Sequence, residues 1–91
     1  MTEVKPMAER VKEDGVYVYS AEWCNPCKML KATLDQKVDF TVVDIEEHSE
    51  LAASKGIRGV PYTEIVKGGD TLKVFVGGND AKEIIELGNS L

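Results

Sequence analysis

The sequence is poor in cysteine and in positive charge. Its 91 residues include two cysteines, one histidine and one tryptophan, and 11 Lys and Arg stand against 16 Asp and Glu, a net charge of −5. Two cysteines cannot build the disulfide framework of a small secreted domain. Nucleic acid is excluded as a partner because a phosphate backbone requires a basic face. No stretch has the length and apolar character of a membrane span, so we expect no membrane partner.

Length and composition favour one small domain. The apolar fraction of 43% is enough for a single modest core, so we expect one domain over residues 1–91, with residues 1–15 forming a short helix or an arm. The segment from Met1 to Pro6 lacks the apolar run of a secretory signal. We therefore expect a cytoplasmic protein, and a monomer.

Both cysteines lie in one short segment, WCNPCK at residues 23–28. Pro26 suits an early helical position, because its missing N–H costs nothing there. Cys24 would then stand at a helix N-terminus, where free backbone N–H groups favour a thiolate and lower the pKa of a cysteine. A disulfide from Cys24 to Cys27 closes a very small ring. Such a bridge stabilises a fold little and is better suited to being made and broken.

Helix periodicity assigns different surroundings to the two sulfurs. Cys27 shares a helix face with Leu30 and Leu34. The pattern predicts that Cys27 faces the core and that Cys24 faces solvent.

Metal binding is a weaker interpretation of the same cysteines. A mononuclear zinc site needs four ligands, and His48 is the one classical soft ligand left in the chain. We interpret His48 as a solvated loop residue. A metal or an iron–sulfur cluster shared between two chains remains an alternative.

Apolar runs and turn signals predict the element order β-α-β-α-β-β-α, after a short helix at 6–13. We predict strands at 16–19, 40–44, 62–67 and 71–76, and helices at 26–37, 49–55 and from Asp80 onward. Ser49 is the predicted N-cap of the middle helix. Asp80 and Glu83 form a capping-box-like pair at the start of the last helix. The predicted inner face of that helix comprises Ala81, Ile84, Ile85 and Gly88.

Two segments of the chain resemble the thioredoxin family. Residues 21–28 resemble its active-site segment, with Asn25 where thioredoxins usually carry glycine, and residues 56–61 resemble the segment that ends in a cis-proline. The resemblance runs from about Val16 to Leu91. It implies an α/β thioredoxin fold, a mixed four-stranded sheet in the order 2-1-3-4 with helices on both faces, at a compact, glutaredoxin-like size.

The resemblance also implies a site. Cys24 and Cys27 would be the catalytic pair and the redox disulfide, and Pro61 would be cis and face them. The backbone of Val60 would pair with an extended substrate segment. The other substrate-binding residues expected near this pair are Trp23, Asn25, Pro26 and Tyr62. We expect Trp23 to expose a face beside the sulfur, whereas Tyr62 either shapes the groove or packs on its strand face.

The chain departs from the thioredoxin pattern at the proton acceptor. Val18 stands where thioredoxins usually carry a buried aspartate, and Val42 stands where they carry a nearby lysine. Gly78, Asn79 and Asp80 resemble instead the glycine-rich, acidic end of a glutaredoxin glutathione site. We therefore hypothesise that no buried side chain deprotonates Cys27.

These features predict a small dithiol thiol–disulfide oxidoreductase that reduces protein disulfides without a bound cofactor. Its electron donor would be a thioredoxin-reductase-type flavoprotein or glutathione. The alternatives are a glutathione-dependent glutaredoxin, a non-catalytic thioredoxin-fold binding module, and an iron–sulfur cluster carrier.

Overall fold

The computed structural model describes residues 5–91, and its element order is the predicted one. The elements are α1 (Met7–Arg10), β1 (Gly15–Ser20), α2 (Asn25–Leu34), β2 (Thr41–Asp44), α3 (Ser49–Ser54), β3 (Tyr62–Lys67), β4 (Asp70–Val76) and α4 (Ala81–Asn89). The predicted first helix is reduced to the single turn α1, and residues 1–4 of the predicted N-terminal helix or arm lie outside the described residues.

The four strands form one mixed sheet in the order β2-β1-β3-β4, which confirms the predicted topology. β1 and β2 are parallel because helix α2 connects them as a crossover. β3 runs antiparallel to β1, and the turn at Gly68–Gly69 returns the chain antiparallel as β4. β1 is central and almost wholly buried, as its uncharged β-branched and aromatic run predicts.

Helices α2 and α4 cover one side of the sheet, which we call the α2–α4 face. Its apolar cluster comprises Val16, Val18, Leu30, Leu34, Val38, Ile65, Phe75 and Ile84, with Ala81 and Ile85 packed against it. Helix α4 approaches β1 closely at Gly88, because a Cβ there would lie 2.8 Å from Cγ2 of Val16 and closer still to Val38. The predicted inner face of the last helix is therefore correct.

Helices α1 and α3 lie over the opposite side, the α1–α3 face. Its cluster comprises Val11, Tyr17, Tyr19, Val43 and Val66. The buried carboxylate of Glu64 belongs to this side, where it accepts hydrogen bonds from Lys55 Nζ at 3.0 Å and from Thr71 Oγ1 at 2.6 Å. Burial raises the pKa of the Tyr19 hydroxyl.

Three predicted helix ends are wrong. Helix α2 stops at Leu34 rather than near residue 37, because the backbone of Asp35 leaves the helical region (φ −55°, ψ 131°) and Gln36 follows with a left-handed φ of 63°. Ser49 is the first helical residue and His48 takes the N-cap position. Asp80 precedes α4 without a side-chain cap, since its backbone (φ −112°, ψ 22°) lacks the extended conformation of a capping residue. Glu83 pairs with Lys73 instead.

Within residues 5–91, no helix combines the length and the apolar character required to cross a bilayer.

Candidate active site

The site begins where β1 ends and α2 starts. Cys24 is the N-cap of α2 with an extended backbone (φ −92°, ψ 104°), and Pro26 occupies the first turn, where no N–H is required. The N–H of Cys27 donates to Cys24 Sγ at 3.2 Å. Cys24 and Cys27 are joined by a disulfide, with their Cα atoms 5.3 Å apart. The sulfur of Cys24 therefore serves as the helix cap and lies within the field of free N–H groups that stabilises a thiolate.

The two cysteines differ in burial less than the helix pattern predicts. Cys27 is fully buried, as expected, but Cys24 is only 4% exposed, so the prediction that it faces solvent is wrong. The reason is its capping role, which turns the sulfur inward against Ala21 and Val60. The little exposure that the pair retains belongs to Cys24.

The segment before β3 closes the other side of the disulfide. The peptide bond between Val60 and Pro61 is cis. The Val60 carbonyl oxygen lies 3.7 Å from Cys24 Sγ, and the Val60 side chain packs on the cluster that contains both cysteines. Pro61 itself is buried. The site thus joins two segments that are far apart in sequence.

A glycine loop forms the third wall. The N–H of Gly77 donates to the Pro61 carbonyl at 2.9 Å, and Gly77 has a φ of 96°, which favours glycine. A Cβ on Gly78 would lie 3.7 Å from the Pro26 carbonyl oxygen and 4.0 Å from Pro61 Cγ. The backbone of this loop therefore runs close beside the start of α2.

An open groove of about 380 Å³ lies between these three segments. It is lined by Pro26, Met29, Val60, Pro61, Gly77, Gly78 and Asn79. None of these seven side chains is charged, so the groove offers backbone hydrogen-bonding groups and apolar surface.

The remaining predicted site residues do not line this groove. Trp23 is 66% exposed beside Cys24, as expected, and Asn25 is also exposed. Tyr62 lies on the α1–α3 face, where its ring packs edge-on against Tyr19 at 5.9 Å, so it packs on its strand face rather than shaping the groove. Asp80 lines a separate depression along α4.

Sequence reasoning missed Met29. This side chain is 71% exposed and lines the groove one turn beyond Cys24. The available signal was an apolar residue on the helix face opposite Leu30 and Leu34, where polar residues are expected.

The core behind Cys27 lacks a carboxylate and an amine at the two positions singled out from the sequence. Val18 is fully buried in the apolar cluster of the α2–α4 face. Val42 pairs with Val18 across the sheet and is 41% exposed. One polar side chain lies in this region. It belongs to Thr63, which is fully buried directly opposite Val18.

No group of three His, Cys, Asp or Glu side chains within residues 5–91 is arranged to hold a metal ion. His48 lies at the start of α3 with its side chain 29% exposed.

A Cys-x-x-Cys pair at the start of a helix, packed against a cis-proline in a sheet of order 2-1-3-4, defines a redox-type dithiol site on a thioredoxin fold. Comparison with known proteins agrees. The family model described as Thioredoxin matches residues 5–89, and the chain belongs to the thioredoxin family.

Individual relatives give the same result. "Thioredoxin, mitochondrial" of Mus musculus is 34% identical over 72% of this chain, and the match spans 44% of that relative, so the chain corresponds to less than half of its length. "Thioredoxin-1" of Schizosaccharomyces pombe is 33% identical over 70% of this chain and 68% of its own length. The solution structure of oxidised thioredoxin from Plasmodium falciparum has a TM-score of 0.72 at 25% identity, covering 89% of this chain and 88% of that one.

Proposed function

We propose that the protein is a dithiol thiol–disulfide oxidoreductase that reduces disulfide bonds in other proteins. The observation that carries the proposal is the placement of the Cys24–Cys27 disulfide at the N-terminus of α2, against the backbone of Val60. Family membership supports the same activity.

In the proposed reaction, the thiolate of reduced Cys24 attacks one sulfur of a substrate disulfide, and the other substrate sulfur leaves with the electron pair. The Cys27 thiolate then attacks Cys24 Sγ. This forms the Cys24–Cys27 bond and expels the second substrate sulfur, which takes up a proton. The helix N-terminus and the Cys27 N–H stabilise negative charge on Cys24 as attacking group. The residual exposure of Cys24 beside the fully buried Cys27 supports this order of attack.

The groove supports a protein as substrate. Its walls offer the Val60 backbone beside the reacting sulfur, apolar contacts from Pro26 and Met29, and no charged side chain. An extended peptide needs main-chain partners and apolar contacts. Trp23 adds further exposed apolar surface next to Cys24.

The same groove favours a thioredoxin-reductase-type flavoprotein over glutathione as electron donor. Glutathione carries two carboxylates, and binding it requires cationic or N–H partners. No lining side chain supplies a cation, and Asp80 at the start of α4 adds negative charge near the loop. The glutaredoxin-like alternative depends on the backbone of Gly78 and Asn79 alone.

A paired experiment tests the activity. Reduction of insulin disulfides with dithiothreitol as reductant should proceed with the native protein and stop in Cys24→Ser. Cys27→Ser should accumulate a mixed disulfide through Cys24, identified by peptide mass. A native protein that is fully reduced but does not reduce insulin would show that it is a binding module rather than an enzyme.

The donor is tested by titrating the oxidised protein with glutathione while following amide chemical shifts. Saturable shifts at Val60, Gly78 and Asp80 would contradict the preference for a reductase. Absence of shifts, together with rapid reduction by a thioredoxin reductase and NADPH, would support it. Cytoplasmic residence and a monomeric state belong to the same proposal and are checked by cell fractionation and by sedimentation.

A further inference from the structure

Two fully buried side chains, Tyr19 and Thr63, carry a hydroxyl with no hydrogen-bond partner within residues 5–91. Tyr19 packs in the cluster of the α1–α3 face, whereas Thr63 follows Pro61 by two residues. A buried hydroxyl without a partner is unfavourable, and such groups in native proteins call for a functional or structural reason.

Strand register places this hydroxyl on the α2–α4 face. Thr63 lies directly opposite Val18 on β1 and opposite Phe75 on β4. Residues opposite each other in an antiparallel pair project from the same face of a sheet, and Val18 and Phe75 both belong to the cluster beneath α2 and α4.

The position of Thr63 along β3 brings it to the site end of that face. β3 starts immediately after Pro61, so Thr63 is its second residue, and Ile65 is one row deeper in the core. On α2, Cys27 is the first buried residue, and Leu30 and Leu34 follow on the same side against Val18. Thr63 is therefore at the end of β3 nearest Pro61, and Cys27 is at the end of the buried side of α2 nearest Cys24.

One charged pair lies on the α2–α4 face. Lys73 is opposite Ile65 on β4 and forms a salt bridge with Glu83 of α4, and both side chains are about half exposed. Glu64 and Tyr19 lie on the α1–α3 face. Among the buried residues of 5–91, those on this side of the sheet with an ionisable side chain are the two cysteines, so the buried charge that can arise here is a thiolate.

We infer that the Thr63 hydroxyl donates a hydrogen bond to the Cys27 thiolate during resolution of the mixed disulfide. The inference rests on the proposed oxidoreductase activity. In the oxidised protein the Thr63 hydroxyl makes no hydrogen bond to Cys27 Sγ or to any other group of residues 5–91. The bond forms when the Cys24–Cys27 bond opens and Cys27 Sγ is free to turn as a thiolate. When Cys24 is bonded to substrate, Cys27 gives its proton to water, and the O–H of Thr63 stabilises the resulting thiolate. The thiolate then attacks Cys24 Sγ, and the substrate thiolate leaves. A hydroxyl cannot accept the Cys27 proton at neutral pH. Thr63 therefore does not replace the buried aspartate that thioredoxins usually carry at the position of Val18.

The test uses one equivalent of the aromatic disulfide 5,5′-dithiobis(2-nitrobenzoate) mixed rapidly with the reduced protein. Attack by Cys24 releases the first thionitrobenzoate, and attack by Cys27 releases the second, so one absorbance trace separates the two steps. In Thr63→Val the first phase should be unchanged. The second should be about tenfold slower at neutral pH, since a hydrogen bond to a charged group is lost.

The pH profile distinguishes this role from a packing defect. Rates of the second phase in Thr63→Val and the native protein should converge at high pH, where Cys27 is ionised in both. Thr63→Ser keeps the hydroxyl and should restore the native profile. Thr33→Val is the matched control, because Thr33 is an exposed threonine on α2 whose hydroxyl bonds the Met29 carbonyl. It should behave as native.

Two outcomes would overturn the inference while leaving the proposed function intact. One is a native second phase in Thr63→Val, and the other is slowing that is equal at every pH and is not rescued by serine. A native protein that releases only one thionitrobenzoate and does not reduce insulin would instead refute the proposed function.

Discussion

Replacing Thr63 by valine should change the stability of the oxidised and the reduced protein by different amounts. In the oxidised form the hydroxyl is buried without a partner, a condition that costs about 1–3 kcal/mol. Valine has nearly the same shape and removes that cost. We expect the free energy of unfolding of oxidised Thr63→Val to rise by about 1–2 kcal/mol. In the reduced form at a pH where Cys27 is ionised, the same change removes a hydrogen bond, so stability should stay level or fall.

The difference between the two redox states fixes the direction of the shift in reduction potential. Stabilising the oxidised form relative to the reduced form makes reduction less favourable, so the potential becomes more negative. For a two-electron couple, a difference of about 1.4 kcal/mol corresponds to about 30 mV.

Two assays check these values. Urea unfolding of each redox state, with unchanged m-values, gives the two stabilities, and equilibration with a thiol–disulfide buffer gives the potential. Thr63→Ser loses a methyl group in both states and should keep a near-native potential. Equal stability changes in the two redox states of Thr63→Val, with an unmoved potential, would refute the reasoning.

Other outcomes follow from the same structure. In the reduced protein, iodoacetamide should label Cys24 before Cys27, because Cys27 is fully buried; faster labelling of Cys27, read by peptide mass, would reverse the assigned roles. Val18→Asp should make resolution depend on pH in a new way, because burial raises the pKa of a carboxyl and lets it accept a proton near neutrality; an unchanged profile in a variant folded by circular dichroism would contradict this. Gly88→Ala should lower the free energy of unfolding by about 1–3 kcal/mol despite alanine's higher helix propensity, because the new Cβ overlaps Val16 and Val38. A thermal melt at or above the native midpoint would contradict this and show that α4 can shift.

Much of the fold is predictable from local pattern. The uncharged run in β1 and the Cys27-Leu30-Leu34 spacing on α2 each carry a strong periodic signal, and the order of elements then fixes a parallel β1–β2 pair. The ends of helices were predicted less well. A cap depends on the φ and ψ of one residue, and a short serine or aspartate is compatible with several conformations.

The site was predicted only in part, for a different reason. Cys24 and Pro61 are brought together by folding, and how far the sulfur turns inward depends on Val60, which is distant in sequence. The position of Thr63 is also non-local, since a threonine in a strand is ordinary until the register shows which face it occupies. Met29 lines a groove that is also lined by the loop at Gly77 and Gly78, which is distant from it in sequence.

The hydrogen bond from the Cys27 N–H to Cys24 Sγ makes the first turn of α2 a built-in reporter of turnover. The acceptor is a neutral sulfur in the disulfide and an anion in the reduced thiolate, so the strength of this one bond alternates with each electron pair that passes through the site. Amide proton exchange at Cys27 should therefore be slower in the reduced protein at neutral pH. A single backbone resonance would then give the redox state of the protein in a living cell without any added probe.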